Sequence, residues 1–216
     1  VRWPLEAHGC FQLAHTASDD GAVNRIVLNM WTSLVGPIGR TNGPPPEHAG
    51  EPVHVGRVFA EHVFTRPFAP PESRKVLALE AEGLPRVPPD RYSWRPTDAL
   101  LALPHAARPL DEALVPDEAP VAFGLNHTDS NQHVNSLVYP RLFQDAALRR
   151  FATHGRSTKL LAQRLEIAYR KPCFAGDRAR IVLRAYEDGE RLGAIGAFLL
   201  DGSDRPACTI HMSFGT

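Results

Sequence analysis

The sequence predicts an α+β fold in which one helix is followed by a meander of antiparallel strands, a unit written twice along the chain. Three observations carry this. Residues 134–153 place Val134, Leu137, Val138, Leu142, Phe143, Ala146, Ala147 and Phe151 at helical spacing. Three apolar, strand-like runs follow at 161–170, 178–187 and 192–200, separated by Gly176-Asp177 and Asp188-Gly189, both good turn formers. The first half echoes this order: Val23-Asn24 matches Val134-Asn135 at an offset of 111 residues. An apolar stretch follows each pair, so 26–38 is expected as a second helix.

Taken in order, the second half opens with a short strand at 120–127, and the helix ends at Gly155. Pro140 falls inside the helical pattern, so the helix is kinked there or starts later. Residues 205–214 supply a fourth strand. In the first half, 64–83 resembles 169–189, with Arg66-Pro67 over Lys171-Pro172 at an offset of 105. Residues 91–103 are expected to add a strand. The Pro- and acid-rich segment 104–119 has no clear period and reads as a linker. The expected organisation is therefore a first repeat over 1–103, the linker, and a second repeat over 120–216. Two helices would each be wrapped by strands that join into one continuous sheet.

Composition excludes several classes. The 216 residues carry 24 basic and 24 acidic side chains, so nothing calls for nucleic acid or an anionic membrane surface. No apolar run reaches the length of a membrane span. The opening Val1-Arg2-Trp3-Pro4 carries no secretory pattern. Cys10, Cys173 and Cys208 are sparse, odd in number and unpaired in sequence, which suits a reducing cytoplasm rather than a disulfide scaffold. Lysine occurs only at 75, 159 and 171, a bias toward Arg that points weakly to a GC-rich bacterial source. Twenty prolines, about twice the usual share of roughly 5%, cluster between apolar segments and mark rigid connections.

The densest group of chemically capable side chains is 127–139, HTDSNQHVNSLVY. Asp129, Asn131 and His133 alternate, so in an extended turn they project to one side. The chain then enters a helix, whose first N–H groups lack intrahelical partners and favour negative charge. A thioester carbonyl laid there would be polarised and its tetrahedral oxyanion stabilised, with the N–H groups of Val134 and Asn135 as donors. Asp129 could attack directly or deprotonate water, while Asn131 and His133 hold water and carbonyl in line. Asp and Asn at these positions are equally the residues of an Asx turn or N-cap. A metal site on His127, Asp129 and His133 lacks an evident fourth ligand.

The string Asp129-x-Asn131-x-His133-Val134-Asn135, with Tyr139 following, resembles the active-site turn of hotdog-fold thioesterases, above all the acyl-ACP thioesterase group. Residues 165–173 (LEIAYRKPC) resemble that family's strand after the helix. The resemblance covers roughly 120–214 well and reaches 1–104 only through the internal repeat, as in double-hotdog members. It implies Asp129, Asn131 and His133 as catalytic residues. The expected reaction is acyl-thioester hydrolysis on coenzyme A or an acyl carrier protein, with no metal or organic cofactor. A homodimer remains open. Two positions depart from the family: Pro172 stands where it carries a glutamate, and Ser136 replaces a second Asn. Shifting Asp129, Asn131 and His133 back by 111 lands on Ser18, Asp20 and Ala22, so the first repeat lacks the set.

Around this motif, Asn135 is expected as an early-helix hydrogen-bonding residue and Tyr139 as a ring lining the pocket. Cys173 reads as a small buried hydrophobe before it reads as a nucleophile. His154 suits the helix C-terminus. Gln144 and Asp145 could reach the site from the helix. Arg149, Arg150, Arg156 and Lys159 form either a solvated face or a phosphate-greeting one. Two rivals stand beside the hydrolase: a hydroxyacyl dehydratase, whose His-Phe-Pro-Gly-like signature is absent, and a non-catalytic acyl-thioester-binding protein.

Overall fold

The computed structural model describes residues 4–40, 42–66, 69–93 and 95–215. The chain divides into two compact units, Val1–Trp94 and Arg95–Thr216.

The first unit is built on three antiparallel strands: β1 (Glu6–Ala17), β2 (Val23–Pro37) and β3 (Pro52–Val63), in the order β1-β2-β3. The helix expected over 26–38 is therefore strand β2. Apolar residues at 26, 27, 28, 30, 31, 34 and 35 satisfy a helical period and a strand period alike. Val23, Ile26, Val27, Thr32 and Val35 are β-branched and Trp31 is aromatic, all favoured on a pleated surface. Pairing decides it, because β2 bonds to β1 on one side and β3 on the other. Residues 64–83, likened to 169–189, form no named strand among the described residues; an irregular path carries a one-residue bridge between Thr65 and Lys75 and a 3-10 turn, Pro71–Ser73. Pro70 and Pro71 have no N–H to give to a ladder. Pro67, on which the repeat comparison leaned, lies outside the described residues. So does Trp94 in the 91–103 segment, of which the described part forms a one-residue bridge at Arg91 and a 3-10 turn, Thr97–Leu101.

The second unit holds the only α-helix among the described residues, α1 (Val138–Thr153). It packs on a sheet in the order β4-β8-β9-β10-β7, where β4 is Arg108–Pro109, β7 Leu161–Tyr169, β8 Arg178–Asp188, β9 Arg191–Leu200 and β10 Pro206–Gly215. Two further short strands, β5 (Val115–Pro116) and β6 (Val121–Ala122), also pair with β8. Residues 104–119, expected as a linker, thus lend β4 and β5 to this sheet. The strand expected over 120–127 is reduced to β6, followed by a 3-10 turn at Leu125–His127. This is a sheet-rich α+β unit with a single helix, an arrangement that fits a hotdog fold.

Helix α1 begins four residues later than its apolar pattern, which places Pro140 in the first turn, where no intrahelical N–H is needed. It ends at Gly155, with φ of 66°, through paired bonds from Arg156 N–H to Phe151 O (2.9 Å) and from Gly155 N–H to Ala152 O (2.9 Å). Its buried face of Tyr139, Phe143, Ala146, Ala147 and Phe151 packs against Ile181, Leu183, Phe198, Ile210, Met212 and Phe214 of the sheet. Gly196 permits this approach. A Cβ there would lie 2.7 Å from the Phe143 ring and 2.3 Å from the Val182 carbonyl oxygen.

The segment before the helix is tied to the helix end by a buried carboxylate. Asp111, 5% exposed, accepts from Arg150, from His154 Nε2 (2.8 Å) and from the Ala185 N–H (2.8 Å). Burial alone would raise the Asp111 pKa, but those hydrogen bonds and the Arg150 charge hold it below the usual carboxylate value. Asp117 takes a two-pronged bond from Arg149, at 3.1 and 2.6 Å. Arg156 pairs with Glu187 at 2.6 Å. Of the four cations read as a solvated or a phosphate-greeting face, three are spent on the unit's own carboxylates.

Candidate active-site turn

The candidate residues sit on a closed loop in front of α1. The Asp129 N–H donates to His133 O (2.9 Å), and the Gln132 N–H donates to Asp129 O (2.9 Å). The Asp129 Oδ1 accepts the Asn131 N–H at 2.8 Å, an Asx turn. Gln132 takes a φ of 62°, a left-handed conformation costing roughly 1–2 kcal/mol outside Gly. Such strain persists only where surrounding bonds over-determine it. Here they do. Val134 N–H bonds Cys173 O (2.8 Å), Asn135 N–H bonds His127 O (2.8 Å), and the His133 ring meets Phe174 edge-on at 5.1 Å.

The loop brings Asp129, Asn131 and His133 together on one exposed turn, while Val134 is buried beneath it. Asp129 serves the backbone with one carboxylate oxygen, and the other oxygen has no partner among the described residues. The expected oxyanion donors need correction. The N–H groups of Val134 and Asn135 are consumed by Cys173 and His127 carbonyls, because the helix starts at Val138 rather than at Val134. The next donor, the Ser136 N–H, has no partner among the described residues. Asn135 closes an Asx turn just ahead of the helix, its Oδ1 accepting the Leu137 N–H at 2.9 Å and its carbonyl the Val138 N–H at 3.0 Å.

Tyr139, expected to line the pocket, is instead a core residue, and Cys173 is the small buried hydrophobe it was first read as. Tyr139 is 3% exposed, and its ring packs against Phe123, Tyr169 and Phe198 at 5.8, 5.6 and 5.3 Å. Burial, then its hydrogen bond with the Cys173 thiol, raises the Tyr139 pKa. Burial likewise raises Cys173, so this thiol is held in its unreactive, protonated form.

Two features around the turn escaped the sequence reading. Tyr169 of β7 donates its hydroxyl to Ser136 O at 2.8 Å, fixing the peptide between loop and helix. A cavity of about 210 Å³ opens beside His127, with Val121, Leu142 and Ile181 as apolar wall and Asp145 and Arg149 as polar groups. His127 Nδ1 takes the Gly124 N–H at 3.1 Å, which leaves Nε2 as the proton-bearing nitrogen of the neutral ring. No group of three or more His, Cys, Asp or Glu arranged to hold a metal occurs among the described residues.

No protein-family model matches the chain, and no curated protein matches it significantly. Solved structures similar to it include a 1,4-dihydroxy-2-naphthoyl-CoA thioesterase from Synechocystis (14% identity, 44% of this chain, 77% of that one, TM-score 0.41). A thioesterase from Thermus thermophilus complexed with coenzyme A and zinc is another (20%, 44%, 75%, 0.39). A third is a Staphylococcus aureus protein in complex with CoA (19%, 48%, 71%, 0.42). Identity is low and each of these TM-scores is below 0.5, so the functional reading rests on the chain's own turn.

Proposed function

We propose that this chain hydrolyses an acyl thioester, carried by coenzyme A or an acyl carrier protein, to a free acid and a thiol. One observation carries the reading: Asp129, Asn131 and His133 share one strained, closed turn, with a carboxylate oxygen of Asp129 left uncommitted. That oxygen either removes a proton from water as the water attacks the thioester carbonyl, or attacks the carbonyl itself. Asn131 and His133 orient water and carbonyl. The tetrahedral oxyanion is met by the Ser136 N–H and by the N-terminal end of α1. Collapse of the intermediate breaks the C–S bond, and the departing thiolate takes up a proton; where Asp129 itself has attacked, water then cleaves the resulting acyl anhydride to the free acid and restores the carboxylate. The cavity beside His127 suits a short acyl group. On this reading the chemistry lies in the second half of the chain.

A second reading is favoured by one specific observation. The loop at 18–22 makes the same Asx closure without Asn or His at the matching positions, so the closure alone needs no catalytic purpose. With Pro172 in place of an acid, the turn would then bind an acyl thioester without cleaving it. The deciding experiment follows free thiol release from acyl-CoAs of two to eighteen carbons and aromatic acyl-CoAs, then from the matching acyl carrier proteins. Release from any of them supports the hydrolase. Tight binding of these thioesters with no release overturns it in favour of the binding protein.

A further inference from the structure

The sheet face turned away from α1 carries a second polar cluster that the turn does not use. On β10, Ile210, Met212 and Phe214 meet the helix, so His211 and Ser213 project from the opposite face. The cross-strand register aligns Arg164, Ser213, Gly193 and Tyr186 in one row, with Glu166 and His211 in the next. Tyr186 is 2% exposed, and its ring lies over Gly193, where a Cβ would fall 2.1 Å from the ring's Cζ. Its hydroxyl meets His211 Nε2 at 2.5 Å, with the two rings 5.7 Å apart and T-shaped.

Beside this pair opens a cavity of about 170 Å³, lined by Arg164, Asp188, Arg191 and Ser213 with Tyr186 and His211, and closed by Pro104 and Leu192. Burial lowers the His211 pKa and pushes Tyr186 up to about 12, so the pair is a neutral imidazole and an intact phenol. In the tautomer that carries its proton on Nε2, His211 donates to the phenol oxygen and leaves the Tyr186 O–H free to donate into the cavity. Arg191 makes no ion pair among the described residues. Arg164 bonds Glu166 at 2.6 Å, and Glu166 also takes Arg95 at 2.6 Å. Three guanidiniums therefore face two carboxylates, Glu166 and Asp188, leaving one positive charge in excess.

We propose that this outer-face cavity binds a small monocarboxylate. Its oxygens would be held by the Arg191 and Arg164 guanidiniums, the Tyr186 hydroxyl and Ser213, with its short apolar body against Pro104 and Leu192. One excess charge suits a monoanion, and the apolar closure suits an organic acid over an inorganic ion. The site stands apart from the thioester reading and holds whether or not that reading does.

The test titrates the full chain with butyrate, butyramide and inorganic phosphate, following heat release and the His211 ring signals by NMR. Butyrate is expected to bind and to shift His211, with butyramide silent and phosphate weaker than butyrate. Arg191→Gln and Tyr186→Phe, which keeps its ring over Gly193, are each expected to weaken butyrate about tenfold, the loss of one charge-assisted hydrogen bond. Absence of butyrate binding, an equal response to butyramide, or affinity unchanged in both variants overturns the proposal. Tighter binding of phosphate overturns the carboxylate assignment.

Discussion

Two loops of this chain close with the same hydrogen bonds and lead into different structures. At 18–22, the Ser18 N–H donates to Ala22 O at 2.9 Å, and Asp20 Oδ1 accepts the N–H two residues on at 3.1 Å. At 129–133, Asp129 N–H donates to His133 O at 2.9 Å, and Asp129 Oδ1 again accepts the N–H two residues on, at 2.8 Å. The backbone closing bonds fall on matching positions at the offset of 111, whereas the Asx carboxylates do not, because Asp20 matches Asn131 and Ser18 matches Asp129. The first loop delivers the chain to strand β2, and Ser18 hydroxyl occupies the same Asp20 oxygen at 2.6 Å. The second delivers it to helix α1, exposes Asn131 and His133, and carries the strained Gln132. Local closure is thus shared, and chemistry depends on what surrounds it.

Several substitutions sharpen that contrast. The largest expected effect is on the scaffold behind the second loop. Asp111→Ala leaves Arg150, His154 and the Ala185 N–H facing an empty site and should cost about 3–5 kcal/mol, read from urea unfolding. The folded Asp111 pKa is depressed, so its contribution is present above the unfolded value of about 4 and is lost as pH falls below it. The variant should accordingly show a shallower loss of stability with acid than the parent. A parallel acid profile would remove Asp111 from that role.

Within the second loop, Asn131→Ala and His133→Ala should each lower kcat about a hundredfold, roughly 2.7 kcal/mol, with unfolding midpoints nearly unchanged. In the first loop, Asp20→Ala should do the reverse, lowering the unfolding midpoint slightly through the lost loop bonds while thiol release holds. Loss of turnover in Asp20→Ala would contradict the division of roles between the loops. The smallest effect is expected for Tyr169→Phe, which frees the Ser136 carbonyl. A several-fold fall in kcat at constant KM is the predicted signature of lost positioning.

Much of the second unit was legible in the sequence. Ala179, Ile181, Leu183 and Ala185 alternate along β8, and Gly176-Asp177 and Asp188-Gly189 mark its ends. The candidate loop was legible too, because Asp, Asn and His fall at fixed short spacing. What escaped was non-local or ambiguous. Residues 26–38 satisfy both periods, and only pairing with β1 and β3 selects the strand. Two-residue strands in 104–119 leave no periodic trace. Arg149 and Arg150 look solvated until partners 32 and 39 residues away are brought beneath them. Likewise the expected oxyanion donors were displaced because the helix starts at Val138 rather than at Val134.

The central claim is that the free oxygen of Asp129 performs the chemistry. Asp129→Asn keeps an Oδ1 to accept the Asn131 N–H, so the closed loop survives while the carboxylate is lost. Measured with the best acyl thioester of the panel, its thiol release should fall by at least about a hundredfold, with the melting temperature unchanged within a degree or so. Near-parental turnover in a folded Asp129→Asn protein would contradict the account.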